Sequence, residues 1–340
     1  MIVGPQGPSK VGRCQIMINN EARGKPSRAF LCLAFLAAFA LSAAVPVRAG
    51  DAVTPIARAE QMYKDGKYKE AIALLNDYLT ANPKDATALV DRGDDYAALG
   101  EDKAAVADYT AAIAVNPDFA YAYASRCDSR NSLDQNAEAL PDCDKAIELD
   151  PKMAYPYRIR ALIELQEGNP KAALADTDSA IGISANSAYS YQLRCRAYDD
   201  LGDLDRALPD CNDAIRLNPD MGEGYFQRGR VEIAQQNWTG AIADFTKSES
   251  IQPGPNGHYW LALSRFKNGD LTEALSEDER YIQMKSDDGD GYLLRAQIEQ
   301  KMGNTAQAKT SATDALRHYR IANDTNGAAK AQALLDSLKP

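Results

Sequence analysis

Residues 86–119 read ATALVDRGDDYAALGEDKAAVADYTAAIAVNPDF, and this stretch decides the fold. On both sides of Gly100 the apolar and small residues recur with the spacing of an amphipathic helix. Glycine suits the left-handed turn that follows a helix, and a helix cannot continue through Pro117. The stretch therefore predicts two helices that are joined at Gly100 and end near Pro117.

The same pattern returns along the chain with a period of 34 residues. Prolines occupy five of six successive places on this grid, and Ala185 occupies the sixth. These prolines are Pro83, Pro117, Pro151, Pro219 and Pro253. Half a period earlier, a glycine is followed five residues later by an alanine, at 66–71, 100–105, 168–173 and 202–207. A two-helix unit repeated at a fixed period indicates a helical repeat array.

Residues 86–119 resemble the tetratricopeptide repeat family. The residues at the family's places are Gly93, Tyr96, Gly100, Ala105, Tyr109, Ala112 and Pro117. The resemblance implies an all-α fold, a right-handed α-solenoid of about eight antiparallel helix-turn-helix hairpins closed by a C-terminal capping helix. On this register the array spans 50–326, the capping helix spans 327–340, and the repeats begin near residues 52, 86, 120, 154, 188, 222, 255 and 289.

The first 49 residues have the features of an export signal. A positively charged segment precedes an apolar run at 29–45, and small residues ending at Ala49 supply a cleavage site. We expect a cleaved signal peptide over 1–49, starting at Met1 or at Met17, and hence a periplasmic or secreted protein. An uncleaved signal that anchors the chain in the membrane is the alternative. The mature chain contains no further segment apolar enough to span a bilayer.

The chain that follows the signal is strongly acidic. Without the first 49 residues it has 32 basic and 47 acidic residues, a net charge of −15. Such a surface repels phosphate backbones and anionic lipids. We therefore expect no nucleic-acid partner.

Two places depart from the common family pattern, because the seventh place of the repeat is Arg and the 23rd is Asp. These two places face each other in an antiparallel hairpin. The expected pairs are Arg92 with Asp108, Arg126 with Asp142, Arg160 with Asp176, Arg194 with Asp210, and Arg228 with Asp244. We interpret them as a ladder of structural ion pairs, and a recurring ligand site is the alternative.

Four cysteines remain beyond the signal, in two pairs whose members are 16 residues apart. Each pair occupies the eighth and 24th places, which face each other across one hairpin. Helix packing brings facing Cα atoms to about 5 Å, within the range of a disulfide. We predict the disulfides Cys127–Cys143 and Cys195–Cys211, which persist in exported proteins. Free thiols in the core are the alternative.

The sequence carries no pattern that indicates catalysis or a metal site. It has no phosphate-binding loop, dinucleotide fingerprint, nucleophile elbow or HExxH motif. The stretch 286–291 is similar to a calcium loop, but Gln297 stands where a bidentate Glu is needed, so we interpret it as a turn between repeats. We expect no enzymatic activity, no cofactor and no metal.

In this family the residues at places 2, 5, 9 and 12 of each repeat line a concave groove. The N-terminal half offers Glu60, Tyr63, Asp94, Tyr121 and Asp128 at these places. The middle offers Tyr155, Arg158, Tyr189, Gln192, Arg196, Phe226 and Arg230. Aromatic residues interleaved with three arginines suit a peptide that carries a carboxylate. A solvated wall that binds nothing in particular is the alternative.

Together these features predict a non-catalytic scaffold or adaptor of the cell envelope that binds a peptide or protein segment in its groove. The alternative is a binding subunit associated with glycan or with an envelope enzyme.

Overall fold

The computed structural model describes residues 54–338, and these residues form seventeen α-helices and no strand. The predicted signal peptide lies outside the described residues. The helices are α1 (Pro55–Lys64), α2 (Tyr68–Ala81), α3 (Ala86–Leu99), α4 (Asp102–Val115), α5 (Ala120–Ser132), α6 (Asn136–Leu149), α7 (Ala154–Gln166), α8 (Pro170–Ile183), α9 (Ala188–Asp200), α10 (Leu204–Leu217), α11 (Gly222–Ala234), α12 (Trp238–Ile251), α13 (Pro255–Asn268), α14 (Leu271–Met284), α15 (Gly289–Lys301), α16 (Thr305–Ile321) and α17 (Thr325–Ser337).

The described residues form two compact units. The N-terminal unit comprises residues 54–168 with 182–185, and the C-terminal unit comprises 169–181 and 186–338. Within each unit consecutive helices pack as hairpins. In the N-terminal unit α1 packs on α2, α3 on α4 and α5 on α6; in the C-terminal unit α9 packs on α10, α11 on α12, α13 on α14 and α15 on α16. The predicted all-helical fold of consecutive hairpins is confirmed.

The final helix begins slightly earlier than the sequence register places it. Helix α17 starts at Thr325 rather than at residue 327, and it packs on α16. The carboxylate of Asp324 accepts hydrogen bonds from the backbone N–H groups of Asn326 and Gly327, so Asp324 is the N-cap. An acceptor at this place satisfies donors that the first turn leaves unpaired, which fixes the start of the helix.

The turn inside each hairpin is left-handed whether or not a glycine stands there. Gly100 has a φ of 73°. Asp134 and Gln236 occupy the equivalent place in two other repeats and adopt φ values of 59° and 61°. A side chain in this conformation costs roughly 1–2 kcal/mol, so the packing of the two helices determines the turn in those repeats.

The eighth and 24th places of the repeat meet where the two helices of a hairpin are closest. A Cβ added to Gly93 would lie 2.7 Å from the ring of Tyr109, and one added to Gly229 would lie 2.9 Å from the ring of Phe245. Both rings are fully buried. The missing side chain on one helix therefore makes the space that the aromatic ring of the other helix fills.

In two other hairpins the same two places hold the predicted cysteine pairs. The Sγ atoms of Cys127 and Cys143 are 2.07 Å apart and their Cα atoms 5.5 Å apart. For Cys195 and Cys211 the distances are 1.94 Å and 5.4 Å. Both pairs therefore lie at disulfide distance, and all four residues are buried.

Peptide mapping without a reductant should recover the two linkages Cys127–Cys143 and Cys195–Cys211 from protein isolated from an oxidising compartment. Each bond closes a loop of 16 residues and should contribute about 3 kcal/mol to the free energy of unfolding. Urea unfolding with and without reductant measures that loss, and a variant with all four cysteines replaced by alanine is the control. Recovery of four free thiols would contradict the prediction.

Candidate functional site

Arg194 shows the geometry of the arginine at the seventh place. Its Nε and Nη2 atoms donate to the two carboxylate oxygens of Asp210, at 2.7 and 2.8 Å. Its remaining nitrogen, Nη1, donates to Asp178 of the preceding repeat at 2.8 Å. One guanidinium therefore joins the two helices of its own hairpin and ties that hairpin to the previous one.

The contact recurs in other repeats. Arg92, Arg126 and Arg228 each make the same two-pronged contact with the Asp of their own hairpin. Their third nitrogen reaches a residue 16 positions earlier, namely Asn76, Thr110 and Asn212 respectively. Arg160 donates to Asp144 at the same offset. The expected pair of Arg160 with Asp176 stays a prediction, since its members belong to different units. In a later repeat Arg295 contacts Asp278.

The contact with the preceding repeat has a signal in the sequence, which the prediction of Arg–Asp pairs did not take into account. The 25th place of successive repeats always holds a side chain that can accept a hydrogen bond: Asn76, Thr110, Asp144, Asp178 and Asn212. A tyrosine three residues before the arginine adds a second contact, since the guanidinium of Arg194 lies 5.5 Å from the ring of Tyr191. The guanidinium groups of Arg92, Arg126, Arg194 and Arg228 are thus fully engaged within the fold.

Substituting Asp210 by Asn should lower the free energy of unfolding by about 2 kcal/mol, because the half-buried guanidinium of Arg194 loses the charge that it contacts twice. The matched variant Asp178→Asn alters the exposed partner of the same arginine and should cost less than about 1 kcal/mol. Urea unfolding followed by circular dichroism compares them. Equal losses would show that Asp210 is not the main partner.

A second carboxyl group lies beside this ladder in the repeat that begins at Gly222. Burial raises the pKa of Glu232 to about 7; the neighbouring carboxyl of Asp244 adds to the increase, and Arg228 opposes it. The folded chain therefore binds this proton more tightly than the unfolded chain does. The stability that Glu232 contributes is present at low pH and is lost as the pH rises from about 4.5 through about 7.

Replacing Glu232 by Gln should raise the melting temperature by about 2–4 °C above about pH 7 and leave it nearly unchanged below about pH 4.5. Thermal unfolding across that pH range measures the effect. Glu101→Gln, at an exposed position, is the control. A stabilisation that persists unchanged at low pH would contradict the assignment.

The residues expected to line the middle of the groove are divided between the two units, with Tyr155 and Arg158 in the N-terminal one. In the C-terminal unit Arg230 contacts Asp199 at 3.0 Å and Asp200 at 3.3 Å. Arg196 lies 3.7 Å from the same Asp200. These arginines are accompanied by carboxylates of their own chain, so an acidic ligand would have to compete for them.

The uncharged members of that set serve mainly in packing. Phe226 makes an edge contact with the buried ring of Phe245, with ring centroids 5.4 Å apart. Gln192 is 2% exposed, and Tyr189 is half-buried. Phe226 and Tyr189 are the two that keep part of their surface in solvent.

One cluster in the N-terminal unit contains four of the predicted groove residues: Asp94, Tyr121, Asp128 and Tyr155. Asp94 accepts hydrogen bonds from Tyr109 and Tyr121, at 2.9 and 3.2 Å. Asp128, one repeat later, accepts a hydrogen bond from Tyr155 at 2.6 Å. The tyrosine at place 2 thus contacts the aspartate at place 9 of the preceding repeat, twice in succession.

These side chains surround a small cleft that is partly open to solvent and has room for about one water molecule. The lining residues are Asp94, Ala97, Tyr109, Tyr121, Ser125, Asp128, Ser129 and Tyr155. Five of the eight stand at groove places: Tyr121 and Tyr155 at place 2, Asp94 and Asp128 at place 9, and Ala97 at place 12. Tyr109 and the two serines were not expected there, because they lie outside the places that the family pattern assigns to the groove.

The stretch 286–291 leads into helix α15. The carboxylate of Asp288 accepts the backbone N–H of Asp290 and the hydroxyl of Tyr281, and it caps the helix. Across the helices described between residues 54 and 338, none has both the length and the apolar character needed to cross a bilayer.

Comparison with known proteins finds two family models. Residues 57–118 match the model described as tetratricopeptide repeat, and residues 100–236 match the model described as the ETO1 C-terminal domain. No curated protein sequence matches the chain.

Several solved structures have a similar fold. The Cut9 and Hcn1 hetero-tetramer of APC/C contains a chain with a TM-score of 0.68 and 14% identity, over 84% of this chain and 55% of that one. Human IFIT1, as a dimer with PPP-AAAA, matches with a TM-score of 0.61 and 16% identity, over 84% of this chain and 73% of that one. A tetratricopeptide repeat protein from Parabacteroides merdae matches with a TM-score of 0.54 and 16% identity, over 74% of this chain and 98% of that one. This chain spans about half the length of the first of these relatives, and at such identities the likeness shows the fold alone.

Proposed function

Because the hairpins of this chain are tetratricopeptide repeats, we propose that it is a non-catalytic scaffold that binds a protein or peptide segment on the face formed by the first helices of its repeats. The observation that carries the proposal is a difference between two sets of polar side chains, those that hold the hairpins together and those that remain partly exposed. The arginines of the seventh place are engaged within the ladder. At places 2 and 9, Tyr121 and Asp128 keep part of their surface in solvent, whereas Asp94 and Tyr155 are buried.

The ladder supports this role because it fixes the hairpins before a partner arrives. Its arginine side chains are only 12–25% exposed and its aspartates 6–9%. A surface whose backbone is already ordered loses little conformational entropy on binding. Aromatic side chains on such a surface add contact area at a low entropic cost, which favours binding of a peptide segment.

We place this scaffold in the cell envelope. The signal-like segment over 1–49 supports export, and two buried cysteine pairs at disulfide distance suit an oxidising compartment. The acidic surface argues against nucleic acid as the partner.

Site-specific photocrosslinking tests where the partner lies. A photoreactive phenylalanine analogue placed at Tyr121 or at Phe226 should yield a covalent adduct with a protein of the envelope fraction, identified by mass spectrometry. Both positions are half-buried aromatic residues on first helices. At Tyr121 the analogue removes the hydroxyl that donates to Asp94, whereas at Phe226 it removes no polar group.

The matched controls carry the same analogue at Met284 and Ile321, which are 54% and 72% exposed and lie at the ends of second helices. These positions should give no specific adduct. Equal yields from all four positions would overturn the groove as the binding face. An adduct with a glycan rather than a protein would instead favour a glycan-associated binding subunit.

A further inference from the structure

We propose that His258 is a pH-sensitive connector between the sixth repeat, formed by α11 and α12, and the seventh repeat, formed by α13 and α14. The protonated imidazole holds the two repeats together through one carboxylate of each, and its deprotonation releases the sixth repeat. The proposal concerns how the array is held together. It goes beyond the proposed function, because it does not depend on which partner binds.

The arginine ladder is interrupted at the junction of these two repeats. The seventh place of the seventh repeat holds Leu261, which is buried, instead of an arginine. The 25th place of the sixth repeat holds Thr246, whose hydroxyl donates to the carbonyl of Ile242 in its own helix at 2.7 Å. One repeat earlier, Arg228 donates to Asn212 across the corresponding junction. That contact cannot form here, because leucine has no donor.

His258 lies where the two repeats meet, and it contacts a carboxylate of each. Its Nδ1 atom lies 2.8 Å from Oε2 of Glu277 on α14, the second helix of its own hairpin. Its Nε2 atom lies 3.6 Å from Oε2 of Glu249 on α12, in the preceding repeat. All three side chains are only 12–13% exposed. The imidazole therefore joins its own hairpin to the previous one, as a ladder arginine does, but through a group that can lose its charge.

The carboxylate of Glu249 is held against the start of α13 by the backbone. Both of its oxygens accept the backbone N–H of Gly254 at 3.2 Å. A Cβ added to Gly257 would lie 1.6 Å from Oε1 of Glu249, so a side chain at that place would displace the carboxylate. The acid of the sixth repeat is thus positioned independently of the imidazole, and the imidazole adds the charge that attracts it.

The charges around the imidazole favour its protonated form as the connector. Burial raises the pKa of Glu249, and the neighbouring charge of Glu277 adds to the increase. The N–H of Gly254 and the charge of His258 oppose it. Arg280 on α14 is exposed and lies 3.6 Å from Glu277. When the imidazole is neutral, two half-buried carboxylates remain beside it without the charge that compensates them, which is unfavourable.

Deprotonation should break one of the two contacts selectively. A protonated imidazole donates from both nitrogens, whereas a neutral one has a single N–H. That N–H should stay with Glu277, because this is the shorter contact. The other nitrogen then turns a lone pair toward Glu249, and the attraction across the junction is lost. Histidine changes its charge between about pH 5 and about pH 8, so the contact should be present in mild acid and lost as the pH rises.

The junction should loosen at high pH rather than separate. The ring of Trp260 on α13 stacks on the ring of Phe245 on α12, with centroids 6.1 Å apart and planes inclined by 20°. Neither ring titrates, so this apolar contact between the two repeats persists at every pH. The seventh hairpin should therefore keep its place and open more often once His258 is neutral.

Hydrogen–deuterium exchange measured by mass spectrometry reports how often the junction opens. The protection factor, which corrects for the intrinsic pH dependence of exchange, should fall about fivefold in α13 between about pH 6 and about pH 8. Peptides from α9 and α10 of the fifth repeat are the internal reference. Glu232 and Asp278 titrate in the same range, so the decisive quantity is the part of the pH response that a variant removes.

Two variants remove the contact from opposite sides of the junction. His258→Gln replaces the imidazole by a donor that stays neutral, and Glu249→Gln keeps an acceptor for the N–H of Gly254. Each should remove the fivefold response of α13. His318→Gln is the matched control, because it removes the only other histidine, which stacks on Tyr292 with ring centroids 4.8 Å apart. It should leave the response of α13 unchanged.

Circular dichroism checks that each variant keeps its helices, and His258→Gln carries the test by itself if Glu249→Gln does not fold. A pH response in His258→Gln equal to that of the unaltered protein would overturn the proposal. A response that disappears in His318→Gln would overturn it as well, because it would assign the titrating group to the last repeat. Constant protection of α13 from about pH 6 to about pH 8 in the unaltered protein would show that no such connector exists.

Discussion

The contact of one arginine with three acceptors is the interaction on which the rest of this structure depends. The hairpin core is built largely from alanine, which buries little apolar surface per residue. A two-pronged contact such as Arg194 with Asp210 adds little net energy at a partly solvated position, but its planar geometry defines how two helices face each other. Its third hydrogen bond, to Asp178, also fixes the position of the preceding repeat relative to this hairpin.

The same interaction determines what is left for binding. It engages many of the chain's arginines, and the acidic residues outnumber the basic ones, so the remaining polar surface is dominated by carboxylates. Where these carboxylates meet tyrosines on first helices, as Asp94 and Asp128 do, they become fixed acceptors on a rigid support. The scaffold and the chemistry of its candidate site thus follow from one distribution of charge.

The period of 34 residues was sufficient to predict the helices, since each boundary depends on nearby residues such as Gly100 and Pro117. Contacts between repeats were harder to predict from the sequence than the helices were. The position of Arg230 in the repeat indicated its face, but not that Asp199 and Asp200 lie beside it. The other repeats hold no acid at the two places of Asp199 and Asp200, so the 34-residue pattern that revealed the ladder could not reveal this contact.

The eighth and 24th places of the repeat are filled differently in two neighbouring hairpins, by Gly93 with Tyr109 in one and by Cys127 with Cys143 in the next. The first solution occupies the space with one ring and the second with two sulfur atoms. These two neighbouring hairpins therefore differ in chemistry at this point, because the first relies on dispersion and the second carries two thiols at disulfide distance. Folding alone completes the packing of the ring-filled hairpin, whereas a disulfide in the cysteine-bearing one would also need an oxidant.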